Sequence, residues 1–337
     1  MSNFGRILIV GAQGQVGQEL QRSFAGSGEI LCRDRESVDL AVEEQVRELV
    51  RSTSPDLILN AAAYTSVDRA ESELETALAI NAKAPRVLAE EAARRNILLV
   101  HYSTDYVFDG SKEESWTETD EPNPLNVYGA SKLAGEEAIR QVGGKYLIFR
   151  TSWVYGPHGN NFLLTMLRLG REREHLSIVD DQVGAPTTSI ELADATRTVV
   201  DGVLDGQFGS TQDWAGLYHM TCSGSTTWYG FAREIFACGQ EFLDGRKPEI
   251  CPITSENFAT PAKRPRNSVL SNKKLHARFG IRLAPWETGM ATVLARLNSP
   301  KSPLPLEAGH TICGSGKLVR SQNEFRERLE VKIQRTV

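Results

Sequence analysis

The chain has 337 residues, with 38 Lys and Arg against 43 Asp and Glu, so its formal net charge is −5. This balance excludes a polybasic nucleic-acid or membrane-surface protein, because phosphate backbones and anionic lipids attract a positive field. Hydrophobic residues make up 40% and charged residues 24%, which is too apolar for a disordered chain, and the length suits about two domains.

Short apolar runs alternate with helical patterns through the first 150 residues. The runs predict strands over 7–10, 30–32, 57–59, 97–102 and 146–150. The spacing between them predicts helices over 15–24, 43–51, 84–95 and 133–142. Continuous apolar strands between helices indicate a parallel sheet covered on both faces, which is the Rossmann-type doubly wound α/β architecture.

The pattern loosens after residue 151. It predicts helices over 162–173, 190–204 and 226–238, and strands over 176–179 and 217–221. Long loops rich in Gly, Pro, Asn and Ser on a rigid scaffold are typical of a substrate-binding lobe. We therefore predict a dinucleotide-binding core over 1–150, a smaller C-terminal substrate-binding lobe over 151–297 that returns in part to the core, and a Pro-containing linker with a basic tail of unknown role over 298–337.

A glycine pattern directly follows the first strand and opens the first helix. Gly11, Gly14 and Gly17 allow a tight turn, a close backbone approach to a pyrophosphate and close packing of helix on strand. The N-terminus of the helix adds free N–H groups and the positive end of its dipole. A flexible turn is the alternative for the glycines alone, and the strand–turn–helix setting favours a dinucleotide site.

Tyr128 and Lys132 are four residues apart at the start of a predicted helix, which places the phenol and the ammonium on one face. A tyrosine that acts as an acid or base near neutral pH needs a pKa below its usual value of about 10, and a neighbouring cation lowers it by favouring the phenolate. The spacing alone also fits an ordinary surface pair, whereas the glycine turn favours a catalytic pair.

Thr104 ends the fourth predicted strand and Asp105 follows it. Ligands bind at the carboxyl ends of parallel strands, so this hydroxyl lies where a reacting group is expected and can both donate and accept a hydrogen bond. Read alone, the segment is also consistent with a polar strand cap.

Together these three elements resemble the extended short-chain dehydrogenase/reductase superfamily. Further motifs are NAAAYTSVD (60–68), STDYVFD (103–109), PLNVYG (124–129), FRTSWVY (149–155), GNNF (159–162), DQVGAPT (181–187), GLYH (216–219) with TTW (226–228), and RPRNS (264–268). The match runs in order from about residue 7 to residue 297, and these motifs narrow the resemblance to the dTDP-4-dehydrorhamnose reductase family.

The resemblance implies the NADPH-dependent reduction of the C4 ketone of dTDP-4-dehydro-L-rhamnose to dTDP-L-rhamnose, a precursor of cell-surface polysaccharides such as the O-antigen of lipopolysaccharide. It implies that Tyr128 donates the proton, that Lys132 tunes Tyr128 and holds the nicotinamide ribose, and that Thr104 completes the triad. The further cofactor contacts that it implies, besides the glycines, are Gln15, Val16, Asp39, Leu40, Ala63, Tyr64, Thr65 and Tyr102.

By the same matching, Thr104, Asp105 and Trp153 meet the sugar nucleotide. Trp153 offers a flat apolar platform with one donor, although a core tryptophan is the better interpretation without the resemblance. Arg264 and Arg266 fit either a clamp on the substrate diphosphate or an exposed basic turn.

The cofactor type rests on the segment Arg33-Asp34-Arg35 after the second strand. It mixes an acid suited to a ribose 2′-OH with arginines suited to a 2′-phosphate, and we expect NADPH, with NADH accepted. Some members of the family depend on Mg²⁺ at an acidic dimer contact, which implies a homodimer, but no cluster in the sequence identifies metal ligands. Five scattered cysteines without a CxxC pair, and no recognisable targeting or membrane-spanning segment, favour the cytoplasm.

Two other functions remain open at this point. A nucleotide-sugar epimerase or dehydratase of the same superfamily would use the same glycine turn and Tyr/Lys pair. The chain also resembles the non-catalytic regulatory subunit of methionine adenosyltransferase, but a pure binding module has no need of the intact Thr104/Tyr128/Lys132 set.

Overall fold

The structure, a computed structural model, describes residues 4–299, so all but the first two residues of the predicted linker and tail over 298–337 lie outside the described residues. Twelve strands lie in this part of the chain. They are β1 (Arg6–Val10), β2 (Glu29–Arg33), β3 (Leu57–Asn60), β4 (Leu98–Thr104), β5 (Tyr146–Thr151), β6 (Val154–Tyr155), β7 (His175–Val179), β8 (Val183–Gly184), β9 (Thr187–Thr188), β10 (Gly216–His219), β11 (Thr226–Thr227) and β12 (Glu249–Ile253).

Twelve α-helices connect these strands within the described residues. They are α1 (Gln15–Ser23), α2 (Glu43–Thr53), α3 (Val67–Ala70), α4 (Leu74–Leu78), α5 (Ala84–Arg94), α6 (Val127–Val142), α7 (Phe162–Glu172), α8 (Ser189–Leu204), α9 (Thr211–Trp214), α10 (Trp228–Cys238), α11 (Lys273–Phe279) and α12 (Trp286–Asn298). A π-helical segment, Ala79–Lys83, joins α4 to α5. No helix of residues 4–299 is long and apolar enough to cross a membrane.

Six parallel strands form the central sheet in the order β10-β5-β4-β3-β1-β2. Side chains alternate between the two faces of a strand, and apolar runs therefore bury both faces. One face of the sheet packs against α2, α5 and α6. On the other face α1 and α8 pack together, and the phenol of Tyr102 in β4 is hydrogen-bonded to Thr196 of α8. The predicted doubly wound parallel sheet is confirmed.

The strand order reverses between β1 and β3, and ligands in such sheets bind in the crevice at this point. The loops that follow β1 and β3 at this crevice contain the glycine turn and residues 61–65. Strand β10 comes from the second half of the chain and completes the edge beside β5. The domain boundary near residue 150 stays a prediction, since residues up to Arg296 form a single compact unit.

Several elements differ from the sequence predictions. The predicted helix over 226–238 begins as a strand, because residues 226–227 pair with β8 before the helix starts at Trp228. Strand β12 was not predicted, and it contains Pro252 and is mostly exposed, so it lacks the apolar run on which the prediction depended. Helices α11 and α12 and the π-helical segment were also missed.

Candidate active site

The glycine turn leaves an open cradle at the start of α1. Gly11 has φ +80°, and a Cβ there would lie 2.6 Å from the backbone nitrogen of Ala62. A Cβ on Gly17 would lie 2.2 Å from the carbonyl oxygen of Gly11, so helix and turn touch directly. Gly14 is the N-cap residue of α1 and has no side chain that could accept a hydrogen bond. The first N–H groups of α1 therefore have no side-chain cap at the cradle. This arrangement fits a pyrophosphate.

A second loop lies against the beginning of α1. The Gln15 side chain accepts a hydrogen bond from Asn161 Nδ2 at 3.0 Å and donates to the carbonyl oxygen of Asn160 at 3.5 Å. Asn161 in turn caps α7 through the N–H of Leu164. The segment over 156–161 is thus anchored beside the cradle, and Val16 is partly buried on the same helical turn.

The acidic residue of the loop after β2, Asp34, accepts hydrogen bonds from neighbouring protein groups. The Asp34 carboxylate accepts hydrogen bonds from the Gln13 amide, from the backbone N–H of Glu36 and from the hydroxyl of Ser37, and its pKa lies below the usual value because hydrogen bonds outweigh its limited burial. Arg33, whose guanidinium donates to the carbonyl oxygen of Cys32, is partly buried, and Arg35 is exposed. The structure therefore leaves two arginines, rather than a free carboxylate, at this edge.

The next predicted cofactor residues lie just beyond this loop. Asp39 is exposed, and its carboxylate accepts the backbone N–H of Ala41 at 2.9 Å, so that it stabilises the entry to α2. Leu40 packs against the hydrophobic core of the sheet. No hydrogen bond among the described residues ties Asp39 to the glycine turn.

The loop after β3 is fixed to the helix that carries Tyr128. Asn81 is fully buried in the π-helical segment; its Oδ1 accepts the N–H of Tyr64 at 2.8 Å and its Nδ2 donates to Ser131 Oγ at 3.0 Å. The Tyr64 phenol donates to Glu73 Oε2 at 2.6 Å, and burial together with this carboxylate raises its pKa to about 12. Ala63 and Thr65 flank Tyr64 in this loop, so their backbone is positioned with it.

Tyr128 and Thr104 meet where β4 ends and α6 begins. Asn126 caps α6 by accepting the N–H of Gly129 at 2.8 Å, which fixes the first turn of the helix. The Thr104 hydroxyl donates to Asp105 Oδ1 at 3.0 Å and is hydrogen-bonded to the phenol of Tyr128. Burial raises the pKa of Tyr128. The phenol is therefore held protonated at neutral pH.

Lys132 lies in a buried position on α6, with 1% of its surface exposed. Its Nζ donates to the carbonyl oxygen of Tyr102 at 2.5 Å and lies 3.2 Å from His101 Nε2. Burial lowers the pKa of Lys132 to about 8, although Glu136 acts in the opposite direction. The expected lowering of the tyrosine pKa by this cation is not found: no hydrogen bond within residues 4–299 joins Lys132 to Tyr128, and burial dominates.

Tyr102 contributes its backbone rather than its phenol to this site. Its hydroxyl is hydrogen-bonded to Thr196 Oγ1 at 2.7 Å on the opposite face of the sheet, because consecutive residues of a strand point to opposite faces. His101 and Ser103 point towards α6 instead.

A buried ion pair lies one helical turn beyond Lys132. Glu136 accepts two hydrogen bonds from Arg150, from Nε at 2.9 Å and from Nη2 at 2.7 Å, and a third from Ser103 Oγ at 2.5 Å. The exposed fractions of Glu136 and Arg150 are 0% and 2%. The sequence analysis missed these residues and His101, but two signals were available: polar residues at alternate positions of an apolar strand, and an acid four residues after the lysine.

Asp105 is buried beside the Thr104 hydroxyl. Its carboxylate also accepts the Ser152 hydroxyl at 3.0 Å and is hydrogen-bonded to Ser268. Burial raises the pKa of Asp105 to about 6, and the hydrogen bonds limit the rise. The structure thus brings Thr104, Asp105 and Tyr128 together as the sequence predicted.

Trp153 lies in a strained backbone conformation, with φ +46°. Its indole stacks on Trp228 with 3.5 Å between ring centroids and 6° between ring planes, so one face of the predicted platform is covered. Gly184 packs directly on the same indole, where a Cβ would lie 2.4 Å from Cε2.

The two arginines that fit either a diphosphate clamp or an exposed basic turn differ in environment. Arg264 forms an ion pair with Asp68 at 3.2 Å and a hydrogen bond with Tyr106, whose ring meets that of Tyr128 edge-on at 5.9 Å between centroids. Arg266 is exposed. In residues 4–299, no group of three or more His, Cys, Asp or Glu side chains is arranged to hold a metal ion.

Comparison with known proteins identifies the family. The family model described as the RmlD substrate binding domain matches residues 5–299. The dTDP-4-dehydrorhamnose reductase of Burkholderia thailandensis is 47% identical over 83% of this chain and 95% of its own length, and that of Escherichia coli K12 is 45% identical over 86% and 97%. The crystal structure of the Bacillus anthracis reductase in complex with NADP is 36% identical, with a TM-score of 0.79 over 88% of this chain and all of that one. The resemblance noted in the sequence is confirmed: this chain belongs to the dTDP-4-dehydrorhamnose reductase family.

Proposed function

We propose that this protein uses NADPH to reduce the C4 ketone of dTDP-4-dehydro-L-rhamnose, giving dTDP-L-rhamnose. Family membership supports the reaction and the substrate class. The observation that carries the assignment to this chain is the hydrogen bond between Thr104 and Tyr128, with the buried Lys132 one helical turn further along α6, which packs on the sheet whose crevice holds the glycine turn.

The residues fit the cofactor. The cradle at Gly11, Gly14 and Gly17 accepts a pyrophosphate, and a Cβ at the first or last of these positions would collide with backbone. Arg33 and Arg35 favour a 2′-phosphate, since hydrogen bonds from Gln13 of the glycine turn and from Ser37 occupy the Asp34 carboxylate. A bound NADPH supplies the hydride. The solved relative from B. anthracis holds NADP, which supports this choice; NADH as a second cofactor remains a prediction.

Tyr128 is the proton donor in this proposal. Reduction turns the ketone oxygen into an alkoxide, and the phenol protonates that oxygen as the charge develops. A phenol whose pKa is raised by burial is fully protonated at neutral pH, which is the state that the reductive direction needs. Thr104 orients the phenol through its hydroxyl, whose own proton is directed at Asp105.

Lys132 supplies a positive charge one helical turn from Tyr128. In this proposal the ammonium stabilises the phenolate that remains after proton transfer and donates to a ribose hydroxyl of the cofactor. Asp105 and the partly buried Trp153 indole are the proposed contacts of the sugar nucleotide. Mg²⁺ dependence, a homodimer and a cytoplasmic location stay predictions from the sequence.

The experiment mixes the purified protein with NADPH and dTDP-4-dehydro-L-rhamnose and follows the loss of reduced-nicotinamide absorbance. Tyr128→Phe removes only the transferable proton, so kcat is expected to fall by about 10²–10⁴-fold while NADPH binding changes little. Tyr146→Phe, which makes the same change on the partly buried first residue of β5, is the matched control and is expected to keep full activity. No oxidation by folded wild-type protein contradicts the proposal, and full activity of Tyr128→Phe contradicts the mechanism. Stoichiometric NAD retained through purification would instead favour an epimerase.

A further inference from the structure

A buried row of three polar side chains runs from the sheet to the catalytic helix. Asn60 ends β3, His101 lies in β4 and Lys132 in α6, with exposed fractions of 2%, 0% and 1%. Asn60 Nδ2 lies 3.0 Å from His101 Nδ1, and His101 Nε2 lies 3.2 Å from Lys132 Nζ. The imidazole therefore bridges an amide and an amine, and its chemistry depends on which ring nitrogen carries the proton.

The amide of Asn60 determines the position of that proton. Its Oδ1 accepts the backbone N–H of Ala62 at 3.3 Å, whereas the reversed amide would place an NH₂ group against that N–H. Nδ2 consequently faces the ring and donates, so His101 Nδ1 must accept. Burial and the neighbouring lysine hold the pKa of His101 well below its usual value, and a neutral ring with an accepting Nδ1 carries its proton on Nε2.

An Nε2–H group is a poor neighbour for an ammonium. A protonated lysine has three donors and no acceptor, so two donors face each other across 3.2 Å. A neutral amine has one lone pair, and it can accept from Nε2–H while it still donates to the Tyr102 carbonyl oxygen at 2.5 Å. An Nε2–H donor on His101 therefore favours the neutral amine of Lys132. A His101 ring with a lone pair on Nε2 would favour the ammonium instead.

We propose that Asn60 fixes His101 as the Nε2–H tautomer and that this donor, directed at Lys132, makes Asn60 and His101 a positioning pair that controls the charge of the catalytic lysine. The consequence for catalysis rests on the reductase function proposed above. Since the ammonium stabilises the phenolate left on Tyr128, the rate of reduction falls as pH rises through the pKa of Lys132. This fall is the alkaline limb of the pH profile, and Asn60 and His101 move it towards neutral pH.

Other charged groups near the lysine do not replace this effect. Glu136 lies one turn further along α6 and favours the ammonium, but Arg150 of β5 forms two hydrogen bonds with it and offsets its charge. His101 is the titratable group of β4 that contacts Nζ. Burial of Lys132 lowers its pKa to about 8, and the His101 donor acts in the same direction.

The direct test is the ring tautomer of His101, read from ¹⁵N chemical shifts of histidine-labelled protein, with His101→Gln used to assign the signal. Wild type is expected to carry the proton on Nε2. In Asn60→Asp the carboxylate still accepts the backbone N–H of Ala62, but it can only accept from the His101 ring. The ring proton should therefore move to Nδ1, which leaves the lone pair of Nε2 facing the Lys132 ammonium. This measurement needs neither cofactor nor substrate. A proton on Nδ1 in the wild type overturns the proposal.

The second readout is the pH profile of kcat. Asn60→Asp should move the alkaline limb upwards by at least about one pH unit, because an acceptor and a nearby negative charge both favour the ammonium. Asn257→Asp makes the same charge change at an exposed position and should leave the limb in place. If Asn60→Asp does not fold, His101→Gln, whose amide can turn its oxygen to the ammonium, is expected to shift the limb in the same direction. An unmoved limb in the folded variant overturns the proposal, whereas the expected tautomer in a protein that does not oxidise NADPH refutes only the reductase function.

Discussion

The buried ion pair of Glu136 and Arg150 predicts a large loss of stability in Glu136→Gln. The substitution keeps the size of the side chain but removes its charge, which leaves the buried Arg150 guanidinium without the carboxylate that it is hydrogen-bonded to. Both side chains are at most 2% exposed, and Arg150 Nη1 already has no hydrogen-bond partner within the described chain. Water therefore cannot replace the carboxylate.

The magnitude follows from this burial. Removing one partner of a buried pair costs about 3–5 kcal/mol, against about 0–1 kcal/mol for an exposed pair. In a compact unit of this size, 1 kcal/mol corresponds to about 2 °C, so the Tm is expected to fall by roughly 6–10 °C. Ser103→Ala removes only one hydrogen bond to the same carboxylate and should cost about 1 kcal/mol.

Thermal and urea unfolding, monitored by circular dichroism, measure these differences. Glu137→Gln is the matched control, since it makes the same substitution at the adjacent, exposed position of α6. Its expected effect is below about 0.5 kcal/mol. If the free energy of unfolding of Glu136→Gln lies within about 0.5 kcal/mol of the wild-type value, the buried pair does not stabilise the fold as argued. If it does not fold, the graded loss in Ser103→Ala still tests the argument.

Three further predictions concern the cofactor turn, Asp105 and the cysteines. Gly11→Ala should weaken NADPH binding at least tenfold in a fluorescence titration, because φ +80° and a Cβ 2.6 Å from the Ala62 backbone displace the turn. The folded-state pKa of Asp105 is raised to about 6, so its ionisation lowers the free energy of unfolding as pH rises from about 4 through 6. Asp105→Asn should lack this pH dependence of stability, which thermal unfolding at pH 4.5 and 7.5 measures. Cys222 is buried and its pKa is raised to about 12, whereas the exposed cysteines among residues 4–299 are Cys32, Cys238 and Cys251. A thiol reagent followed by mass spectrometry should therefore label these three before Cys222.

The fold was most predictable where a local pattern repeats. The five strands predicted in the first 150 residues all form within one or two residues of their expected bounds, because strands buried on both faces need continuous apolar runs. The missed strand β12 pairs with β7, and its own residues are largely exposed. Residues 226–227 form a strand because the backbone of β8 lies beside them, which no local pattern indicates.

The site was predictable in composition but not in its electrostatics. The i, i+4 spacing identifies Tyr128 and Lys132 as neighbours on a helix, and the end of β4 places Thr104 beside them. The same spacing led to the expectation of a lowered tyrosine pKa, which the structure contradicts, since burial raises it. The spacing does not reveal how much water reaches the phenol, and desolvation is the larger effect here.

The amino-acid sequence by itself determined the parallel sheet, the glycine turn and the spacing of Tyr128 and Lys132 on one helix, because periodicity, conformational freedom and helical spacing are properties of short segments. Only the tertiary structure decided that His101, Asn60 and the Glu136–Arg150 pair surround Lys132, since these residues come from three strands and one helix. Charge and acidity depend on which groups meet after water has been excluded, and that is settled only when distant segments pack together.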